Sequence, residues 1–158
     1  MGFHYREFDK IMKLKFIDTN SPEYLQACKL RYKLFFAEYN LPFSTVYYHR
    51  ESISIHAVIQ EKYTDEVIAY GILTPGENKV DQIHQMVVSP SHQKQGFGTT
   101  IIQALIDKAK LQQAQAIILQ ARTTAVNFYR KFSFEVVSRE YPSKKTGVLH
   151  VTMLKKHL

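Results

Sequence analysis

The chain has 158 residues, 45% of them hydrophobic and 22% charged, which suits one domain built around one core rather than two. Its single cysteine, Cys28, excludes an internal disulfide, and no apolar run reaches the ~18 residues of a membrane-spanning helix. The formal net charge of +7 attracts polyanions, whether nucleic acid, an anionic membrane or a phosphate-rich cofactor, but says nothing about fold. A single domain over residues 1–158 is therefore expected, with 1–11 as a polar leader that lacks the apolar run of a secretory signal. Met12 offers a second possible start, and the cytoplasm is the expected location.

Residues 12–17 alternate polar and apolar side chains, as a first strand does. Ser21-Pro22 reads as a helix start, with Ser at the N-cap and Pro at the first helical position. Leu25, Cys28, Tyr32, Phe35, Phe36 and Tyr39 then recur at three- and four-residue spacing, so a helix is expected to run to about Asn40-Leu41-Pro42 with these on its buried face. Cys28 reads as a small buried residue rather than a nucleophile. Strands are expected at 54–60 and 67–73, joined as a hairpin by the polar 62–66 stretch, and at 80–88 after Thr74-Pro75-Gly76. Ile102, Leu105, Ile106 and Ala109 mark a helix to about Gln113. A strand at 116–119, a helix at 123–131 and strands at 134–138 and 148–154 follow. The order β-α-β-β-β-α-β-α-β-β implies an α/β fold with a mixed central sheet of about six or seven strands flanked by helices, parallel in its second half.

The most informative segment is Val88-Ser89-Pro90-Ser91-His92-Gln93-Lys94-Gln95-Gly96-Phe97-Gly98-Thr99, where a strand runs into a loop that opens a helix. The first N–H groups of a helix lack intrahelical partners and the macrodipole adds positive charge, so an anion is held there by several donors at once. Gly96 and Gly98 allow close backbone approach and unusual dihedrals; Lys94 adds a cation, and Gln93 and Gln95 add amide donors. The same pattern also fits a helix that merely begins with glycines. The phosphate-loop pattern GxxxxGK[ST], a GxGxxG in a first strand–helix unit, the serine elbow GxSxG and Cys/His clusters with metal spacing are all absent, and no metal is expected. Lys and Arg are scattered, with no helix–turn–helix and no aromatic-interleaved basic stripe, so specific nucleic-acid binding is not expected either.

The loop resembles the acetyl-CoA-binding motif [RQ]-x-x-G-x-[GA] of the GNAT superfamily of N-acetyltransferases, with Gln93, Gly96 and Gly98 in its fixed positions. Ala125-Val126-Asn127-Phe128-Tyr129-Arg130-Lys131-Phe132-Ser133-Phe134 is similar to the family segment A-x-x-[LF]-Y-x-K-x-G-F. The resemblance implies a sheet splayed between the strands at 80–88 and 116–120. Pantetheine would lie in the splay against backbone groups of Met86 and Val88, with the pyrophosphate on the amides of Gln93, Lys94, Gln95, Gly96, Phe97, Gly98 and Thr99. It implies acetyl-CoA as cosubstrate and an amine of a small molecule or protein as acceptor, with a homodimer possible and no membrane partner. Tyr129 matches the family tyrosine that protonates the departing thiolate; as a plain core aromatic it would rest its hydroxyl on a backbone carbonyl. His84 is the candidate general base, the alternative being a buried, hydrogen-bonded histidine. Glu38, His56 and His150 are further candidates.

The first half is similar to a branch of small bacterial GNATs called ElaA-like, through Arg31, Phe35, Glu38, His56, Gly147 and His150. Three departures stand out: Ser133 replaces a motif glycine, Arg122 stands where Asn or Gln touches pantetheine, and the acidic residues expected before His56 are missing around Arg50, Ser52 and Ser54. With no evident carboxylate base, a catalytically weak acyl-CoA sensor of the same fold is the second reading.

Overall fold

A computed structural model describes residues 11–158; the leader expected at the N-terminus lies, but for Ile11, outside the described residues. Eight strands among them form one sheet: β1 (Met12–Ile17), β2 (Ile55–Glu61), β3 (Val67–Thr74), β4 (Val80–Val88), β5 (Ala116–Arg122), β6 (Glu135–Val136), β7 (Tyr141–Pro142) and β8 (Leu149–Lys156). Three α-helices interrupt them: α1 (Pro22–Phe35), α2 (Phe97–Leu111) and α3 (Val126–Arg130). The spatial order is β1-β2-β3-β4-β5-β8-β6, with β7 also on β8. β1 to β4 form an antiparallel meander. Parallel pairing is confined to β4 with β5, and β8 returns antiparallel to β5, so the second half is less parallel than expected. The expected strand at 134–138 shortens to two residues, and β7 is an addition too short to show periodicity.

The two faces of the sheet are closed by different helices. Ile101, Ile102, Leu105, Ile106 and Ala109 of α2 pack with Ala57, Ile59, Ala69, Leu73 and Ile83 in the main core, which is the expected face of that helix. On the other side Ala27 and the half-buried Leu30, Leu34 and Phe35 of α1 meet Val58, Tyr70, Ile72 and Val87. Here the face differs from expectation. Cys28, Tyr32, Phe35 and Phe36 are buried or half-buried as expected, but Leu25 is 49% exposed and Ala27 and Arg31 are fully buried in its place. The helix also stops at Phe35, so Tyr39 belongs to a separate short turn, 37–39. Ser21 occupies the N-cap without a side-chain cap bond; its hydroxyl instead accepts from the Asp18 N–H.

Backbone constraint is sharpest at two positions, one in a turn and one under a helix. Ser133 adopts φ +67°, the left-handed backbone its motif glycine would take, so the turn before Phe134 is kept although a Cβ is disfavoured there. Gly71 on β3 sits beneath the crossing of α2. A Cβ there would stand 2.6 Å from Met86 Sδ, 2.7 Å from Ile101 Cγ2 and 3.0 Å from Leu105 Cδ1. The methionine can move aside, but the β-branched Ile101 is stiff at χ1. Gly71→Ala should therefore destabilise the fold by about 1–3 kcal/mol, as overpacked cores do, read as a lowered urea midpoint with unchanged slope.

Candidate active site

The site begins where two neighbouring strands part. β4 and β5 pair only over residues 80–82 with 116–118, yet β4 runs on to Val88 and β5 to Arg122. From Ile83 onward the facing edges of these two central strands carry no shared ladder. Backbone N–H and C=O groups so placed need other partners. On its opposite edge β4 stays paired with β3, but Ile72 faces His84 and Tyr70 faces Val87. One β3 residue, Gly71, thus opposes two on β4, Gln85 and Met86. This is a β-bulge, with Gln85 at φ +59°.

The loop after β4 closes onto its end. Gln93 Nε2 donates to the Val88 carbonyl at 3.1 Å, so that carbonyl, expected to face pantetheine, is engaged by the loop itself. Lys94 and Gly96 both take left-handed backbone, at φ +63° and +89°. Such residues build the concave loops in which successive amides turn toward an anion. Gly96 is the N-cap of α2, and the Thr100 N–H donates to its carbonyl at 3.1 Å. The amides of Gly98 and Thr99 precede that first intrahelical bond, at the positive end of the helix dipole. A Cβ on Gly96 would meet nothing within 4 Å, whereas one on Gly98 would lie 3.4 Å from Phe128 Cζ. The two glycines therefore have different uses: Gly96 supplies the left-handed turn under open space, and Gly98 lets α3 come close. Lys94 and Gln95 are exposed, while the Phe97 side chain points into the core.

Tyr129 of α3 is held edge-on between Phe128 and Phe134 and is 9% exposed. Burial pushes its phenol up to about 12, and its hydroxyl meets no protein acceptor among the described residues. His84 lies on the α1 side of β4, edge-on to Tyr48. Burial, helped by the Arg31 cation, pushes it down to about 4. Its Nε2 is 2.7 Å from Thr74 Oγ1, which is 2.7 Å from Ser54 Oγ, and Ser54 donates to the Arg50 carbonyl. Each hydroxyl has one hydrogen, so Thr74 must donate to Ser54 and accept from His84. His84 is thereby fixed as the Nε2–H tautomer with its lone pair on Nδ1.

Behind β4 lies a buried polar cluster. Arg31 and Glu51, 0% and 4% exposed, form an ion pair at 2.5 Å. Arg31 also donates to the Val46 carbonyl and, at 3.4 Å, to Gln85 Oε1. Glu51 accepts from Tyr24 Oη at 2.9 Å and the Tyr48 N–H at 2.6 Å. Burial alone would raise the Glu51 carboxyl, but the Arg31 bond and charge hold it below the usual carboxylate range. His56 is enclosed too. Its Nε2 must donate to the Glu51 carbonyl, leaving Nδ1 to accept from Tyr70, and burial lowers its pKa.

Of the further base candidates, Glu38 is exposed and His150 stacks on Tyr141 with Nδ1 donating to the Val148 carbonyl. Arg122 lies over the Phe35 ring at 5.0 Å. Glu51 is the site residue that sequence reasoning misses. It is the only acid between Glu38 and Glu61, so the stretch before His56 does carry one, and that isolation is the available signal.

A central sheet opened after three paired residues, with a glycine-turned loop and a helix N-terminus at its mouth, is the architecture of an acyl-CoA-dependent N-acyltransferase. Known proteins agree. Residues 23–134 match the model of the Acetyltransferase (GNAT) family. The uncharacterized N-acetyltransferase YjcF of Bacillus subtilis is 30% identical over 139 residues, covering 88% of this chain and 96% of that protein. Among solved structures, Escherichia coli ElaA superposes with TM-score 0.76 at 19% identity, covering 92% of this chain and 99% of that one. An aminoglycoside 6'-N-acetyltransferase complexed with coenzyme A gives 0.72 at 17% identity, covering 91% and 96%. The chain belongs to the GNAT acetyltransferase family.

The ion pair gives a direct prediction. Glu51→Ala leaves the Arg31 cation buried and uncompensated, which should cost about 3–5 kcal/mol of stability in urea unfolding at neutral pH. Because the folded Glu51 pKa is depressed, its contribution is present above the ordinary carboxylate value and is lost as pH falls through the folded value. That loss should vanish from the acid limb of stability in Glu51→Gln.

Proposed function

We propose that the protein transfers the acetyl group of acetyl-CoA directly to an amine, with the pyrophosphate held by residues 93–99 and pantetheine along the open edge of β4. The observation that carries this reading is the unladdered β4 edge beyond Gln82 leading straight to the Gly96 turn. The residues present fit such a cofactor: an unpaired strand edge suits the amides of pantetheine, and the space over Gly96 suits a phosphate. When bound, acetyl-CoA supplies a thioester carbonyl open to attack by a neutral amine.

The chain's own groups then have separable tasks. Backbone amides at the bulge and at Val88 are placed to stabilise charge on the carbonyl oxygen. Tyr129, held protonated by burial, is the proton donor to the departing thiolate. The lone pair on His84 Nδ1 is the candidate acceptor for the amine proton. The acceptor is an amine of a small molecule or a protein, and the enclosed His84 favours acceptors that arrive already neutral.

Acetyl-CoA titrated calorimetrically should bind wild type saturably, and Gly96→Glu, shown folded by circular dichroism, should lose at least about tenfold in affinity by placing an anion against the phosphate. Tyr129→Phe should retain binding and lose about 10²-fold in thiol release, the scale of a lost general acid. Binding by wild type with no turnover on any amine would favour the second reading, an acyl-CoA sensor.

The pH profile is a separate test. A His84 pKa near 4 keeps its base form present at every pH above that value. The rise of kcat/KM with pH should therefore follow the acceptor's own amine pKa from one acceptor to the next. A limb fixed between about pH 6 and 7 for every acceptor would mean that His84 titrates in its ordinary range.

A further inference from the structure

The buried cluster reaches the β4 bulge through Gln85. Gln85 holds φ +59° in the middle of a central strand, a conformation that a residue with a Cβ keeps only where its surroundings impose it. The bulge there leaves a residue of β4 outside the ladder with β3, and such a residue has its backbone groups unpaired. The pairs on either side, Ile72 with His84 and Tyr70 with Val87, fix where the bulge falls, and the bulged residue's own side chain is held as well: Arg31 Nε donates to Gln85 Oε1 at 3.4 Å.

Arg31 is well suited to hold a position. It is fully buried, and its other nitrogens are fixed by Glu51 and the Val46 carbonyl, which belong to the segment between α1 and β2. Glu51 is itself tied by the Tyr24 hydroxyl and the Tyr48 N–H. The guanidinium keeps its proton at any working pH and its donors lie in a rigid plane. The Arg31–Gln85 link therefore spans from α1 and the 46–51 segment to the one point where β4 departs from regular geometry.

We propose that Arg31 is a positioning residue for acyl transfer: through Gln85 it fixes the β4 bulge, whose backbone amides receive the carbonyl oxygen of the thioester. The inference rests on the acyl-CoA reading of the site. Donors to a developing oxyanion are effective only when already aimed, because reorganisation during the reaction forfeits their advantage. Arg31 and Gln85 touch no reacting atom; they act by holding the amides still.

The test uses acetyl-CoA labelled with carbon-13 at the carbonyl, at saturating concentration, on wild type, Gln85→Met and Gln85→Glu. Methionine matches the glutamine in length but cannot accept from Arg31, and it leaves the Arg31–Glu51 pair intact. Glutamate keeps an acceptor oxygen. Wild type should move the bound carbonyl resonance downfield of free acetyl-CoA, as a hydrogen-bonded carbonyl does. Gln85→Met should lose most of that displacement while acetyl-CoA affinity changes by less than about threefold, and Gln85→Glu should retain it. A Gln85→Met protein with the wild-type resonance, even one with a lowered melting temperature, would overturn the inference, because Gln85 would then matter only for stability. Wild type that binds with no downfield movement would also overturn it and leave the cofactor reading standing. Wild type that binds no acetyl-CoA would remove both.

Discussion

Backbone hydrogen bonding in a sheet interior allows few exceptions, and this molecule is organised around one. Once β4 and β5 separate beyond Gln82, two central strands expose polar edges toward each other inside the domain. Such groups are expensive to leave unmatched. The remaining architecture keeps the gap open: β8 pairs β5 along its whole length from the far side, β3 pairs β4 from Gln82 to Val88 except at the bulge, and α2 and α1 clamp the two faces. Neither strand can rotate to close the gap without breaking its other ladder. A ligand with its own amides and phosphates meets the unmet backbone at modest structural expense, because the fold has already separated the strands.

The buried Arg31–Glu51 pair extends that order to the far side of β4. Such a pair is weak evidence for stability, since desolvation offsets much of its attraction. Its geometry argues for position instead. Three elements distant in sequence, α1, the 46–51 segment and the Gln85 bulge, are brought to one guanidinium. Apolar packing of the same volume would fill the space but could not specify where the bulged residue sits.

The sequence is legible where period and glycine carry the signal. The α2 face, the β4-to-loop transition and most of the order of elements along the chain emerge from alternation, three- and four-residue spacing and Gly96, since burial there is apolar and local. It fails where burial is polar. Periodicity places Cys28, Tyr32, Phe35 and Phe36 on the buried α1 face correctly but adds Leu25 and Tyr39 and omits Arg31, because an arginine reads as exposed; yet Arg31 is enclosed and Leu25 is not. What hides Arg31 is Glu51, twenty residues away, and no local pattern reports that pairing. Ser133 shows the converse. The glycine pattern lapses there, but the left-handed turn persists, because tertiary packing around Phe134 imposes the backbone that glycine would have adopted freely. His84 is open, on sequence alone, between titrating base and enclosed histidine; its hydroxyl chain through Thr74 and Ser54, again a long-range arrangement, decides its tautomer.

The electrostatic character of the site follows from the same enclosure. Burial disfavours charge of either sign, so it raises Tyr129 to about 12 and lowers His84 to about 4. Tyr129 keeps its proton and His84 stays without one, so both are neutral across the working range. The two lie on opposite faces of the sheet, Tyr129 in the α2–α3 core and His84 on the α1 side of β4. Buried positive charge is confined, among these residues, to Arg31, which Glu51 neutralises, whereas Lys94 carries its charge exposed, where water screens it.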